Sequence, residues 1–225
     1  MPDHQDFGIN HVEPGGPPLV LRLSGSVILA KISVGPFDNN AYLLQHSSGG
    51  SVLIDAANDG VRLLKIISDQ PLDAIVTTHR HDDHWQALAS VAAATGAQLV
   101  CGQPDLEAIK IGTEVRDLNG VWDGDQIQLG SEWLEVIGLV GHTPGSITLA
   151  YAGAGRTHLF TGDSLFPGGP GRTTTPEHFT SLMNDLESKI FDRFDDDTVV
   201  HPGHGDDTTL GTERPHLDEW RKRGW

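Results

Sequence analysis

The chain has 225 residues, enough for one large domain with a substantial core, and its 37% hydrophobic and 20% charged content, with 27 glycines and 13 prolines, suits a loop-rich soluble globule. A formal net charge of −16 argues against a nucleic-acid polyanion as partner. The single cysteine, Cys101, excludes an intramolecular disulfide and fits a cytoplasmic setting, while no basic-then-apolar leader opens the chain and no run of about 18 apolar residues offers a membrane span.

Residues 1–18 are polar and rich in Pro and Gly, and read as a loose arm ahead of a single domain over 19–225. From Ser26 the text turns strand-like, SVILAKISVG and then NAYLLQHSSGGSVLIDAA, with SSGG as a hairpin connection. DGVRLLKIISD (59–69) reads as an amphipathic helix with Val61, Leu64 and Ile67 along its apolar side. LDAIVTT (72–78) is a buried strand, WQALASVAAATG (85–96) a helix closed by Gly96, and QLVCG (98–102) a strand. Together they predict a βαβ unit with a parallel strand pair. The middle of the chain is β-rich: DQIQLGSEWLEVIGLVG, SITLAYAG and RTHLFTGD. In PEHFTSLMNDLESKIF, Pro176 opens a helix whose Phe179, Leu182, Met183, Leu186 and Ile190 form a core-facing stripe. DTVVHPGHG (197–205) is one more short strand, ending in a glycine-rich turn.

The densest chemistry lies in THRHDDHW, Thr78 to Trp85, at the end of the predicted buried strand. In an extended segment side chains alternate, so His79, His81 and Asp83 project to one side. Asp82 points away, as a spacer or a cap for the next helix, and His84 swings back toward the same pocket. Imidazoles with a carboxylate suit zinc, iron or manganese better than calcium or magnesium. Strand ends in α/β proteins are where such sites collect. Further ligands are therefore sought downstream: His142 in VGHTPGS, Asp163 in LFTGDSLF and His204 in HPGHG each follow an apolar strand beside glycine. His201 reads as structural, and Trp85 as packing beneath its helix.

H-x-H-x-D-H, GHTPGS, TGDSLF and PGHG, in this order over roughly residues 26–213, resemble the metallo-β-lactamase superfamily of metallohydrolases. The resemblance implies an α/β fold of αββα type, two mixed β-sheets face to face with helices outside. It implies two divalent metal ions, zinc foremost with iron and manganese also accepted. His79, His81 and His142 would hold one ion, Asp83, His84 and His204 the other, and Asp163 would bridge them. Asp83 and Asp163 are then the catalytic carboxylates, and Asp55, in VLIDAA, matches an aspartate that supports the ligands from behind. In such a site a hydroxide shared by two metals about 3.5 Å apart attacks an acyl carbon.

Within that superfamily LFPGGPGR looks most like glyoxalase II, which hydrolyses hydroxyacyl-glutathione thioesters, and Arg172 falls where that enzyme binds the thiol tripeptide. Pro170 and Thr174 replace the cysteine and tyrosine of its loop. Only 21 residues follow His204, so its helical C-terminal domain is expected to be absent. The reaction type carries over more readily than the glutathione does. The expected partner is a small-molecule thioester, with neither nucleic acid nor membrane involved. A persulfide dioxygenase using one iron on His79, His142 and Asp163 shares the framework. A lactonase would keep all seven ligands but commonly has a tyrosine where Phe166 stands. A non-catalytic binding module would be expected to have lost ligands.

Overall fold

The computed structural model describes residues 10–68 and 71–224. Its first sheet runs in chain order through β1 (Leu19–Arg22), β2 (Val27–Val34), β3 (Asn39–His46), β4 (Ser51–Ile54), β5 (Ala74–Thr77), β6 (Gln98–Gly102) and β7 (Leu118–Val121). β1 to β4 pair antiparallel, with SSGG as the β3–β4 turn. From β4 to β7 the pairing is parallel, because helices α1 (Gly60–Ile67), α2 (Leu88–Thr95) and α3 (Leu106–Thr113) carry the chain back between strands. The predicted βαβ unit is β5–α2–β6.

The second sheet begins with the antiparallel run β8 (Gln126–Leu129), β9 (Glu132–Gly138), β10 (Ile147–Ala152) and β11 (Thr157–Gly162). A small hairpin, β12 (Leu165–Phe166) with β13 (Gly169–Pro170), follows. Helix α4 (Pro176–Asp185) and a π-helical turn over Leu186–Phe191 then return the chain to β14 (Val199–Pro202), parallel to β11, and to β15 (Thr208–Thr209) at the edge. Short helices α5 (Leu210–Glu213) and α6 (Leu217–Arg223) close the described chain.

Strand alternation sorts the apolar residues into three layers of core. Val52 and Ile54 of β4, Leu29 of β2 and Tyr42 of β3 meet Leu134, Val136, Leu149 and Phe160 between the sheets. Leu53, Ile32 and Leu43 face the other way, onto Leu63, Leu88 and Ile109 of α1 to α3. Leu159 and Val200 of the second sheet pack against Leu182, Met183 and Leu186 and against Trp220 of α6. The molecule is thus the expected αββα sandwich. Strands covered on both faces carry near-continuous apolar runs rather than alternation.

Three expectations need correction. In α1 the buried residues are Leu63 and Ile67, an i, i+4 pair, while Val61 is 81% exposed in the first turn. The helix expected over 85–96 begins only at Leu88, after a turn. Of the arm expected over 1–18, residues 1–9 lie outside the described residues, and the rest is irregular but not loose. Val12 is buried, and the Asn10 carbonyl accepts a hydrogen bond from Lys31. The stripe in α4 and its π turn holds: Leu182, Met183, Leu186 and Ile190 are buried, and Thr175 caps the helix by accepting from His178 N. Among the described residues no helix is long and apolar enough to cross a membrane.

Leu63→Ala should destabilise the fold by about 2–5 kcal/mol, whereas Val61→Ala should stay within about 0.5 kcal/mol. Urea denaturation of both variants checks which residues form the buried face of α1.

Candidate metal centre

Loops leaving the C-terminal ends of β4, β5, β9, β11 and β14 bring Asp55, the His79–His84 segment, His142, Asp163 and His204 to one end of the sandwich. This is where a sheet's chain reversals leave a crevice. β5 stops at Thr77, and the cluster is a bend followed by a 3₁₀ turn over Asp82–His84. Strand alternation therefore does not reach Asp83; the turn swings both Asp83 and His84 inward. His79 and His84 are fully buried, Asp83 is half-buried, and Asp82 is exposed. Asp82 does not cap α2, whose N-cap is Ala87 without a side-chain bond.

The seven predicted residues assemble into two groups joined by a third. Ligand atoms of His79, His81 and His142 lie within 4.8 Å of one another, as do those of Asp83, His84 and His204. Asp163 stands between the groups: its Oδ1 is 3.3 Å from His84 Nε2, and its Oδ2 is 3.6 Å from His142 Nε2 and 3.5 Å from His204 Nε2.

Whether these atoms suit a cation follows from where their protons must be. The carbonyl of Arg172 only accepts, so His142 donates through Nδ1 at 2.6 Å and its Nε2 is a lone pair. His204 donates from Nδ1 to the Phe37 carbonyl at 2.8 Å, and His84 from Nδ1 to Asp55 Oδ2 at 2.8 Å. The Thr78 hydroxyl donates to Asp55 Oδ2, so it can only accept from His79 Nδ1. His79 and His142 are both shifted toward the neutral form, so their Nε2 lone pairs face each other at 3.2 Å. His84 Nε2 and His204 Nε2, also 3.2 Å apart, have room for at most one proton between them. The buried Asp163 Oδ1 has no hydrogen-bond donor either. Nitrogens and carboxylate oxygens that converge with few protons among them are what a divalent cation satisfies, and the imidazole and carboxylate donors fit one.

The electrostatics agree. Burial disfavours the charged form of His204, yet Asp163 and Asp83 outweigh it and push that imidazole up to about 10. Burial likewise opposes charge on His84, but Asp55 and Asp163 raise it well above the usual range. Two imidazolium Nε2–H groups cannot face each other at 3.2 Å, so at most one proton fits between these rings, and a cation can supply the further positive charge that the carboxylates attract. Hydrogen bonding to His204, helped by Asn39, draws Asp83 down to about 2. His79, by contrast, is held neutral first by burial and then by His84.

Behind these atoms sits a layer of supports. Asp55 adopts a left-handed backbone, φ 57°, a conformation uncommon outside glycine, and accepts from Thr78 N, Thr78 Oγ1 and His84 Nδ1. Asn39 Nδ2 donates to the Asp83 carbonyl and to Asp83 Oδ2 at 2.9 and 3.0 Å. The buried Asp105 ties the two loops of the first group together, accepting from Arg80 N, Thr143 Oγ1 and Gly145 N. Arg172 is exposed and lines a cavity of about 310 Å³ with Thr173, Phe179 and Arg223, while its carbonyl orients His142. Trp85 packs against the α3 layer and donates to the Arg80 carbonyl.

A family model, the metallo-beta-lactamase superfamily, matches residues 34–204. The chain belongs to the metallo-β-lactamase superfamily. It is 30% identical over 204 residues to a hydroxyacylglutathione hydrolase of Photobacterium profundum, covering 84% of this chain and 74% of that one. It is 29% identical over 208 residues to hydroxyacylglutathione hydrolase GloC of Haemophilus influenzae, covering 81% and 93%. Among solved structures, TTHA1623 in a di-iron-bound form superposes with a TM-score of 0.64 at 29% identity, covering 82% of this chain and 96% of that chain. The metallo-β-lactamase fold implies divalent metal, in agreement with the donor set.

Asn39, Asp105 and Thr78 escape a reading of the sequence. Asp105 looks like an ordinary residue before a helix, and only the paired asparagines opening an otherwise apolar β3 stand out, since asparagine is poor in strands. Gly203, by contrast, is dictated by crowding: a Cβ there would collide with Asp163 Oδ1 and lie 2.6 Å from His84 Cε1. Gly203→Ala should keep the far-UV circular dichroism of the parent and weaken zinc binding more than about tenfold, as isothermal titration would show.

Proposed function

We propose that this metallo-β-lactamase-superfamily hydrolase cleaves small-molecule thioesters of the hydroxyacylglutathione type, using two divalent metal ions. The observation that carries the reading is Asp163, set between two triads of ligating atoms with a buried oxygen that no donor satisfies. Hydroxyacylglutathione hydrolases at about 30% identity support the substrate class.

His79, His81 and His142 would hold one ion and Asp83, His84 and His204 the other, with Asp163 shared. Zinc suits these donors best, while iron and manganese are also compatible. Bound metal would supply an activated nucleophile from water at neutral pH and offset negative charge on the acyl oxygen. Asp83 and Asp163 are held ionised, so both can accept hydrogen bonds from the attacking water and orient it toward the acyl carbon. His142 and His204 keep their rings fixed through the Arg172 and Phe37 carbonyls. The leaving thiolate, with a pKa near about 8.5, needs no strong general acid. Arg172, exposed on the cavity beside His142, is the residue for the thiol carrier's negative charge.

Protein purified without added metal should carry two metal ions per chain and hydrolyse lactoyl-glutathione. One iron per chain, with oxygen uptake on glutathione persulfide and no thioester turnover, would contradict the reading. Asp163→Ala should lower kcat/KM by more than about 100-fold, beyond the range for residues that merely support ligands, and Asp82→Ala should leave it nearly unchanged. Equal losses would contradict the roles given to these two carboxylates.

A further inference from the structure

Val27, Leu29, Lys31 and Ser33 alternate along β2 onto one face, the face turned toward the second sheet. Val27 and Leu29 meet that core, and Lys31 continues the row although it is 0% exposed. A buried ammonium is costly unless every proton is matched, and here all three are. Lys31 Nζ donates to the Asn10 carbonyl at 2.7 Å, the Gly205 carbonyl at 2.7 Å and Asp207 Oδ1 at 2.8 Å. The chain of polar groups runs on through the second sheet. Asp207 Oδ2 lies 3.1 Å from His201 Nδ1, and His201 Nε2 lies 3.0 Å from His158 Nδ1, all of these residues being buried.

Gly205 directly follows His204, and the short segment around His204 has little regular structure of its own. It is held from β3 and the turn before it. Asn40 Nδ2 donates to the Pro202 and Gly205 carbonyls, Asn40 N to the Gly203 carbonyl, the Tyr42 hydroxyl to the Pro202 carbonyl, and Gly205 N to the Asp38 carbonyl. Lys31 supplies the one ammonium among these ties, and charge-assisted hydrogen bonds are roughly twice as strong as neutral ones. It also binds Asp207 at the far end of the same loop, so a single ammonium closes Gly205–Asp207 against the first sheet. The His79, His81 and His142 group is held separately, through Asp105, without Lys31.

We propose that Lys31 is a positioning residue for His204: by gathering the Gly205 carbonyl and the Asp207 carboxylate onto one buried ammonium, it sets the Asp83, His84 and His204 group without touching the other group. This rests on the reading of both groups as metal ligands. Its consequence is selective. Loss of the ammonium frees the segment behind His204 and loosens one metal position, while the other keeps its affinity.

The test is zinc binding by equilibrium dialysis, read as equivalents and affinities per chain, with thermal stability measured in parallel on wild type, K31M and K31M/D207N. Wild type should bind two zinc ions. K31M should bind the first with unchanged affinity and the second at least about tenfold more weakly. The double variant removes the buried carboxylate left without its ammonium but does not restore the Gly205 tether. It should therefore recover thermal stability relative to K31M while the second zinc stays weak. Two tight zinc sites in K31M would overturn the proposal. So would equal weakening of both sites, or recovery of the second site together with stability in the double variant. Fewer than two zinc ions in wild type would instead overturn the reading of the site, and the proposal with it.

Discussion

Imidazole nitrogens that converge to 3.2 Å with their rings locked from behind are the constraint on which this molecule is built. Left alone, such nitrogens would rotate apart or capture protons. They stay because each ring is fixed at its other nitrogen, by the Arg172 carbonyl, the Phe37 carbonyl, Asp55 or Thr78. Those partners can only accept, so they settle the tautomer as well as the angle of the ring. The same logic leaves the Asp163 oxygen between the groups without a donor. A site arranged in this way is preorganised for cations.

The sandwich is the means of holding these groups still. Parallel pairing in each sheet, β4 to β7 in one and β11 with β14 in the other, sends several strand ends toward the same edge. Asp55, the histidine turn, Asp163 and His204 leave from those ends, and His142 leaves from the loop after β9. Apolar layers on both faces of both sheets make the strands rigid, while the groups that hold the ligands gather toward that edge. Asp105 fastens one half of the centre and Lys31 with Asn40 the other. Close approach does the remainder: Gly203 lets Asp163 and His84 share a space that any side chain would fill.

Much of this was legible in the amino-acid sequence, for different reasons in different places. The strands, the βαβ unit and the α4 stripe could be read because buried β-branched runs and helical spacing carry their own signature. The seven candidate ligands stood out because histidines and aspartates beside glycine at strand ends have few ordinary explanations. The placement of Asp83 was reached by an argument that does not apply, since the chain leaves the strand at Thr77 and a 3₁₀ turn does the work. On α1, Ile67 is buried and Leu64 packs against the core as expected, but Val61 was wrongly included because Val61 and Leu63 both suit an apolar stripe, and only docking against α2 and the sheet decides between them. Lys31 and Asp105 were invisible, and Asn39 only faintly marked, because their roles depend on partners 21 to 176 positions away, such as Asp207 for Lys31 and Gly145 for Asp105.

The most direct test of the account is a crystal structure of the metal-loaded protein with anomalous scattering recorded at the zinc edge. The account predicts two anomalous peaks, one among His79, His81 and His142 and one among Asp83, His84 and His204, with Asp163 coordinating both. A single peak, or two peaks with Asp163 bound to neither, would contradict it.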